Sequence, residues 1–264
     1  MTDTATQLAR AGADYRRQGW CVPADPLPPD SLARLRTAIE GICAADRPES
    51  VYEEGGVVLR ALHGCHRYDE VCAALVRTPA LLDLAEELVG DQVYVYQFKV
   101  NIKSPRQGGR WPWHQDFAFW ALEDGMPAPA AVTVAISLDE VHAGNGPLTV
   151  LSGSHRLGII GSDGSEALGS RGTWTDHVSA KLAHSIPDER AEALAERFAA
   201  HRLLGQAGAI SAFHPSIVHS SSDNTSDDRR TVVFITYNSV GNAPRHATRP
   251  EFLVDRDTRP LTRA

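Results

Sequence analysis

Between Ser31 and Ile42 apolar residues return every three to four positions, so Leu32, Leu35, Ala38, Ile39 and Ile42 share one face of a predicted helix. A Pro-rich stretch over 23–29 marks its start. The same period returns from about Glu70 to Val89, where Pro79, lacking an amide hydrogen, predicts an interruption. From Val93 onward the texture becomes β-rich. Strands are predicted over Val93–Ile102, Trp111–Trp120, Ala131–Leu138, Leu148–Leu151, Ala209–His214 and Thr231–Tyr237. Turn-forming runs separate several of them, including Gly108-Gly109, Gly144-Asn145-Gly146 and Ser152-Gly153-Ser154. Helices followed by many short strands predict a mainly β fold, a sandwich or double-sheet barrel buttressed by N-terminal helices.

The expected organisation is one domain over 1–264, with helical support in 1–92, the β core in 93–242 and a C-terminal tail in 243–264. Within the core, 157–208 loses the strand texture. It begins as a Gly/Ser-rich loop and continues into a predicted helix from about Asp188 to Leu204, rich in Ala, Glu and Arg. This insertion reads equally well as an active-site lid or as a plain surface excursion.

Composition narrows the partners. A hydrophobic fraction of 42% and a charged fraction of 22% are those of an ordinary globular chain. A net charge of -7 with no Lys/Arg run excludes the positive field that nucleic-acid binding needs, which leaves a small molecule as the expected partner. Met1 to Arg10 lacks the basic-then-apolar order of a secretory leader, and no apolar run approaches the roughly 20 residues of a membrane span. A cytoplasmic monomer or homodimer with no membrane partner is expected. Cys21, Cys43, Cys65 and Cys72 show no CxxC spacing and read as buried free thiols.

The candidate chemistry lies in Trp113-His114-Gln115-Asp116. On a strand, positions i and i+2 share a face, so His114 and Asp116 are expected to reach one metal together. Imidazole and carboxylate suit Fe(II), and a second histidine would complete a two-histidine, one-carboxylate triad with an open opposite face. With 11 His and 33 Asp+Glu, however, such a pair is expected about once by chance. A downstream segment adds weight: His219 ends a strand-like stretch, a polar turn follows, and Arg230 opens the next strand. His214 is a rival for the second histidine. Arginine suits a distal carboxylate because its planar fork donates two charge-assisted hydrogen bonds; the competing role for Arg230 is an ion pair with Asp227 or Asp228. Trp111, Trp113, Phe117, Phe119 and Trp120 could line an apolar pocket, although alternating aromatics more often pack a core.

Five blocks in order resemble the phytanoyl-CoA dioxygenase family, and within it the ectoine hydroxylase branch. They are Gln97 to Lys103, Trp113 to Trp120 followed by Glu123 to Pro127, Asn145 to His155, His219 to Arg230, and Tyr237 to Asn242. The resemblance spans roughly Val58 to Asn242 and implies a double-stranded β-helix, a cupin-like jelly roll. It also implies an Fe(II)- and 2-oxoglutarate-dependent dioxygenase that uses O₂ to hydroxylate a small molecule, such as an amino acid or natural-product intermediate, releasing succinate and CO₂. By the same resemblance His114, Asp116 and His219 are the expected iron ligands, and Arg230 with Ser221 the grip on the 2-oxoglutarate C5 carboxylate. Asn101 and Lys103 fall on the cosubstrate side, and Gln97, Phe119 and Trp120 on the substrate side. The branch usually has Ser between its ligands and Glu-Thr after the Phe; Gln115, Ala118 and Phe119 depart from that and point away from ectoine as substrate. Asp116 sets the chain apart from related halogenases, which carry Gly or Ala there. Desaturation, cyclisation and epimerisation share the same iron chemistry, and a non-catalytic barrel is the alternative outside it.

Overall fold

The computed structural model describes residues 4–23, 25–160, 174, 182 and 184–264. Four helices precede residue 90, with three short strands among them: α1 (Thr4–Gln18), α2 (Pro29–Cys43), α3 (Glu70–Leu75) and α4 (Pro79–Val89). Leu32, Leu35, Ile39 and Ile42 form the buried face of α2, as their spacing requires. Pro79 does interrupt the second helical run, by opening α4 in the first turn, where its missing amide hydrogen costs nothing. Asp69 caps α3 by accepting from the Cys72 amide. Helix α1, which is not among the predicted elements, buries Ala11, Gly12 and Tyr15, and the Tyr15 hydroxyl donates to the Ala131 carbonyl.

The strands are β1 (Trp20–Cys21), β2 (Ser50–Tyr52), β3 (Leu59–His63), β4 (Val93–Lys103), β5 (Trp111–His114), β6 (Ala131–Ser137), β7 (Leu148–Leu151), β8 (Ala200–Leu203), β9 (Ile210–Phe213), β10 (His219–Ser221) and β11 (Arg230–Ser239). They form two antiparallel sheets, β1-β9-β6-β11-β4-β3-β2 and β5-β10-β7-β8. One face of the large sheet, with Phe98, Val100, Ile102, Val233 and Ile235, packs on the helices. Its other face meets the small sheet through Ala135, Val150, Phe213, Val232 and Phe234. The result is a cupin-like jelly roll with helices covering one side.

A bulge in β4 decides which side chains enter the space between the sheets. β11 pairs Thr236 with Gln97 but Tyr237 with Val95, so Tyr96 is an extra residue. Side-chain parity therefore flips there. Val93 and Val95 join the helix-side core, Tyr94 and Tyr96 turn inward, and after the bulge Phe98, Val100 and Ile102 return to the helix side. That leaves Gln97, Lys99, Asn101 and Lys103 facing inward, a polar row within a buried strand.

Two expectations are corrected. The strand foreseen over Trp111–Trp120 ends at His114, and α5 (Asp116–Glu123) replaces its second half. The helix foreseen from Asp188 to Leu204 is α6 (Asp188–Ala195), after which β8 pairs with β7. Residues 161–173, 175–181 and 183 of the foreseen 157–208 lid lie outside the described residues. Within the C-terminal tail, 243–264, Leu253 and Val254 are buried in one cluster with Tyr96 and Trp120. All four cysteines are free, three of them buried and Cys43 half-buried. No helix among the described residues is long and apolar enough to cross a membrane.

Candidate metal and cosubstrate site

His114 ends β5, and Gln115, in an extended conformation, turns the chain into α5 with Asp116 as its first helical residue. The two side chains thus converge by a strand-to-helix turn and not by strand alternation. His219 opens β10, whose pairing with β5 sets it opposite His114. The Asp116 Oδ1 lies 3.6 Å from His114 Nε2 and 3.9 Å from His219 Nε2. Ligand atoms of all three residues fall within 4.8 Å of one another, and among the described residues no other such group of three exists.

Each imidazole is oriented by its own strand. Nδ1 of His114 meets the Pro112 carbonyl at 2.6 Å and Nδ1 of His219 the Ile217 carbonyl at 3.0 Å, which leaves both Nε2 atoms for a metal. Burial opposes ionisation of Asp116, yet Lys99, His114 and His219 together hold its carboxyl well below the usual range. The positive end of α5 favours the same charge. Burial, and the neighbouring His114, push His219 down to about 3, which keeps its imidazole neutral as a ligand must be. Among the described residues Asp116 Oδ2 is buried with no hydrogen-bond partner. Two imidazoles with Nε2 free, and a carboxylate with an unsatisfied oxygen, fit Fe(II).

Beside this cluster lies a buried cationic pocket. Arg230 opens β11 opposite Lys103, donates through Nη2 to the Gly146 carbonyl at 2.5 Å, and leaves Nε and Nη1 buried without partners among the described residues. A guanidinium in that state calls for an anion, since an unpaired buried donor is costly. Burial alone pushes it down to about 10. Asp227 pairs with Arg106 instead, at 2.6 Å, so the competing ion pair for Arg230 does not form there. Ser221 Oγ and Asn101 Oδ1 are likewise buried and unsatisfied. Lys103 is pushed down to about 6 by burial, Arg230 and Arg60, and its Nζ donates to the Gly109 and Ser222 carbonyls at 2.8 and 2.5 Å. It therefore braces two loops around the pocket. Gly146, at φ 79°, is required there: a Cβ would fall 2.6 Å from both Lys103 Cδ and the Ser222 carbonyl.

The residues expected on the substrate side are all buried, but they are not alike. Gln97 donates to the Leu253 carbonyl at 3.1 Å. Trp120 packs edge-on against Tyr96, and Phe119 edge-on against His184. Phe117, Phe119 and Trp120 belong to one apolar cluster, against which Trp111 packs beneath the Arg60 guanidinium, whereas Trp113 packs beside Ile186 and Val218. His214 is not in the metal cluster; its Nδ1 accepts from the Ser216 amide and its ring leans on Tyr15 and His155.

Sequence reasoning missed three contributors. Lys99 points at Asp116 from 3.9 Å, and its inward position was readable once Gln97, Asn101 and Lys103 were placed on one face. Ser154 accepts from the Val218 amide at 2.9 Å and so fixes the residue before His219. Gln115 donates to the Gly158 and Ser216 carbonyls and accepts from the Ile160 amide.

Donors of this kind on a helix-backed jelly roll mark the non-heme iron dioxygenases that consume 2-oxoglutarate. Residues 15–232 match the phytanoyl-CoA dioxygenase (PhyH) family model, and the chain belongs to that family. It is 54% identical over 254 residues to the L-proline trans-4-hydroxylase of Streptomyces griseoviridis, covering 96% of this chain and 95% of that protein. To the ectoine dioxygenase of Nocardia farcinica it is 30% identical, covering 94% and 85%. Crystal structures of EctD from S. alaskensis superpose with a TM-score of 0.80 for the form with bound Fe and 0.81 for that with 2-oxoglutarate and 5-hydroxyectoine. Identities are 30% and 28%, and each covers 97% of this chain and 86% of that one. The chain is accordingly an Fe(II)- and 2-oxoglutarate-dependent dioxygenase that hydroxylates a small molecule.

Proposed function

We propose that this enzyme hydroxylates free L-proline at the trans-4 position. The observation that carries the reading is the 54% identity to a proline hydroxylase along nearly the whole chain, against 30% to an ectoine dioxygenase. The departures at Gln115, Ala118 and Phe119 agree with it. In this reading His114, Asp116 and His219 hold the iron, and Arg230 binds the far carboxylate of 2-oxoglutarate with its two unsatisfied nitrogens. Ser221 and Asn101 offer further polar atoms to the cosubstrate, and Lys103 braces the loops around it.

Bound iron, 2-oxoglutarate and O₂ supply the oxidation: one oxygen atom enters the substrate C–H bond, the other enters succinate, and CO₂ leaves. The chain's own residues orient the reactants. The backbone carbonyls of Pro112 and Ile217 keep both imidazoles with Nε2 toward the metal. The buried aromatic wall of Phe117, Phe119 and Trp120 keeps water from that side of the site. Gln97, Phe119 and Trp120 stand on the substrate side.

Purified enzyme supplied with Fe(II), ascorbate and 2-oxoglutarate is expected to release succinate in step with trans-4-hydroxy-L-proline when given L-proline, and to respond little to ectoine. Faster turnover on ectoine, or no response to L-proline, would overturn the assignment.

A further inference from the structure

His63, at the end of β3, is 1% exposed, and neither of its ring nitrogens has a hydrogen-bond partner among the described residues. A polar ring sealed from water with both nitrogens unsatisfied is costly unless something else completes it. Its orientation follows from register. His63 pairs directly with Lys99 in the β3–β4 ladder, and directly paired residues of an antiparallel sheet share a face with their Cβ atoms about 5 Å apart. Lys99 faces Asp116. His63 therefore lies on the same inward face, one strand farther from the metal cluster. Its ring also meets Trp174 edge-on at 6.3 Å, and Trp174 meets Phe252 in the same way.

The electrostatic surroundings identify what the ring would bind. Burial, then Lys99 and Arg249, push the imidazole down to about 3, so it is neutral and has one N–H to donate. Arg249 is already satisfied by Asp124. Among the described residues Lys99 has a single charged neighbour, Asp116, and at 3.9 Å it makes no hydrogen bond. One unused N–H beside an ammonium whose contact with Asp116 is longer than a hydrogen bond suits a carboxylate. A small amino acid anchored there would extend toward the metal cluster from one strand away.

We propose that His63 is a substrate-contacting specificity residue, donating a hydrogen bond to the carboxylate of the amino-acid substrate next to the Lys99 ammonium. The inference rests on the proposed amino-acid hydroxylation and adds the group that selects the acid.

The test compares L-proline with L-prolinamide, by steady-state turnover and by anaerobic calorimetry on the Fe(II)·2-oxoglutarate enzyme. Wild type is expected to prefer the acid. His63→Phe, which keeps the ring and removes its nitrogens, is expected to raise the KM for L-proline about tenfold, the loss of one charge-assisted hydrogen bond. It should also shrink the acid-over-amide preference by the same factor, leaving the KM for 2-oxoglutarate unchanged. His63→Asn, which restores a donor, should recover part of the preference, and it carries the comparison if the Phe variant does not fold. Unchanged acid-over-amide preference in a folded His63 variant, or no such preference in wild type, overturns the proposal. If wild type turns over some other compound and not L-proline, the substrate assignment fails instead. The same acid and amide comparison on that compound then decides the role of His63.

Discussion

His219 stands directly across the β5–β10 ladder from His114, with ring centroids 4.1 Å apart. Each ring is tied through Nδ1 to the carbonyl two residues before it, Pro112 for one and Ile217 for the other. The two strands thus repeat one device, and the second Nε2 arrives already aimed. His219→Ala is expected to lower Fe(II) affinity and turnover by more than about 10²-fold while far-ultraviolet circular dichroism stays unchanged. Iron titration checks the first part; wild-type affinity in the variant would remove His219 from the ligand set.

Arg230 is the anion receptor most exposed to a simple test. Arg230→Ala is expected to raise the KM for 2-oxoglutarate about 10²-fold with little change in the KM for the substrate, because two charge-assisted hydrogen bonds disappear. Gly146→Ala should move the same parameter in the same direction, since the added Cβ would displace Lys103 and the loop whose carbonyl holds Arg230. A KM effect confined to the substrate would contradict the assignment.

Asp124 and Arg249 form a buried bidentate pair, at 2.9 and 2.5 Å, with the Tyr96 hydroxyl donating to the same carboxylate. The pair fastens the C-terminal segment to the bulge in β4. Asp124→Ala leaves a buried guanidinium without its partner and is expected to cost about 3–5 kcal/mol. Urea unfolding of the two proteins gives the difference; a loss under about 1 kcal/mol would show that the segment is held mainly by Leu253 and Val254.

Acid should weaken the metal-free protein well before its carboxylates titrate. Burial pushes His63 down to about 3 and His214, with His155 beside it, down to about 4, both from an ordinary value near 6.5. Between those limits the unfolded chain binds more protons than the folded one. Stability present above pH 6.5 is therefore lost as the pH falls toward 4. Denaturation midpoints measured from pH 7 to pH 4 should decline throughout, and His214→Asn should flatten the slope. A midpoint constant down to pH 4 would show that these rings are protonated in the fold.

Much of the architecture was legible because burial imposes a period. The apolar positions of β4, β6 and β11, and the stripe of α2, announce themselves. The turn after His114 did not, since Phe117-Ala-Phe-Trp120 is apolar at almost every position and suits helix and strand alike, while Gln115 is no customary helix cap. The metal trio and Arg230 could be read from spacing together with the family blocks. His63 could not: it looked like one more isolated histidine, and only the strand register against Lys99 turns it inward.

Gln115 is the unnamed middle of the His114-x-Asp116 pair, and its amide joins the Gly158 and Ser216 carbonyls and the Ile160 amide in one place. A serine, with one hydroxyl hydrogen and a shorter reach, could not span all three. The spacer of the motif is thus a rivet between the turn before His219 and the chain leading into residue 161. Gly158 and Ile160 are thereby leashed to the residue between the two ligands. Exchanging that stretch between relatives should succeed only when the rivet travels with it.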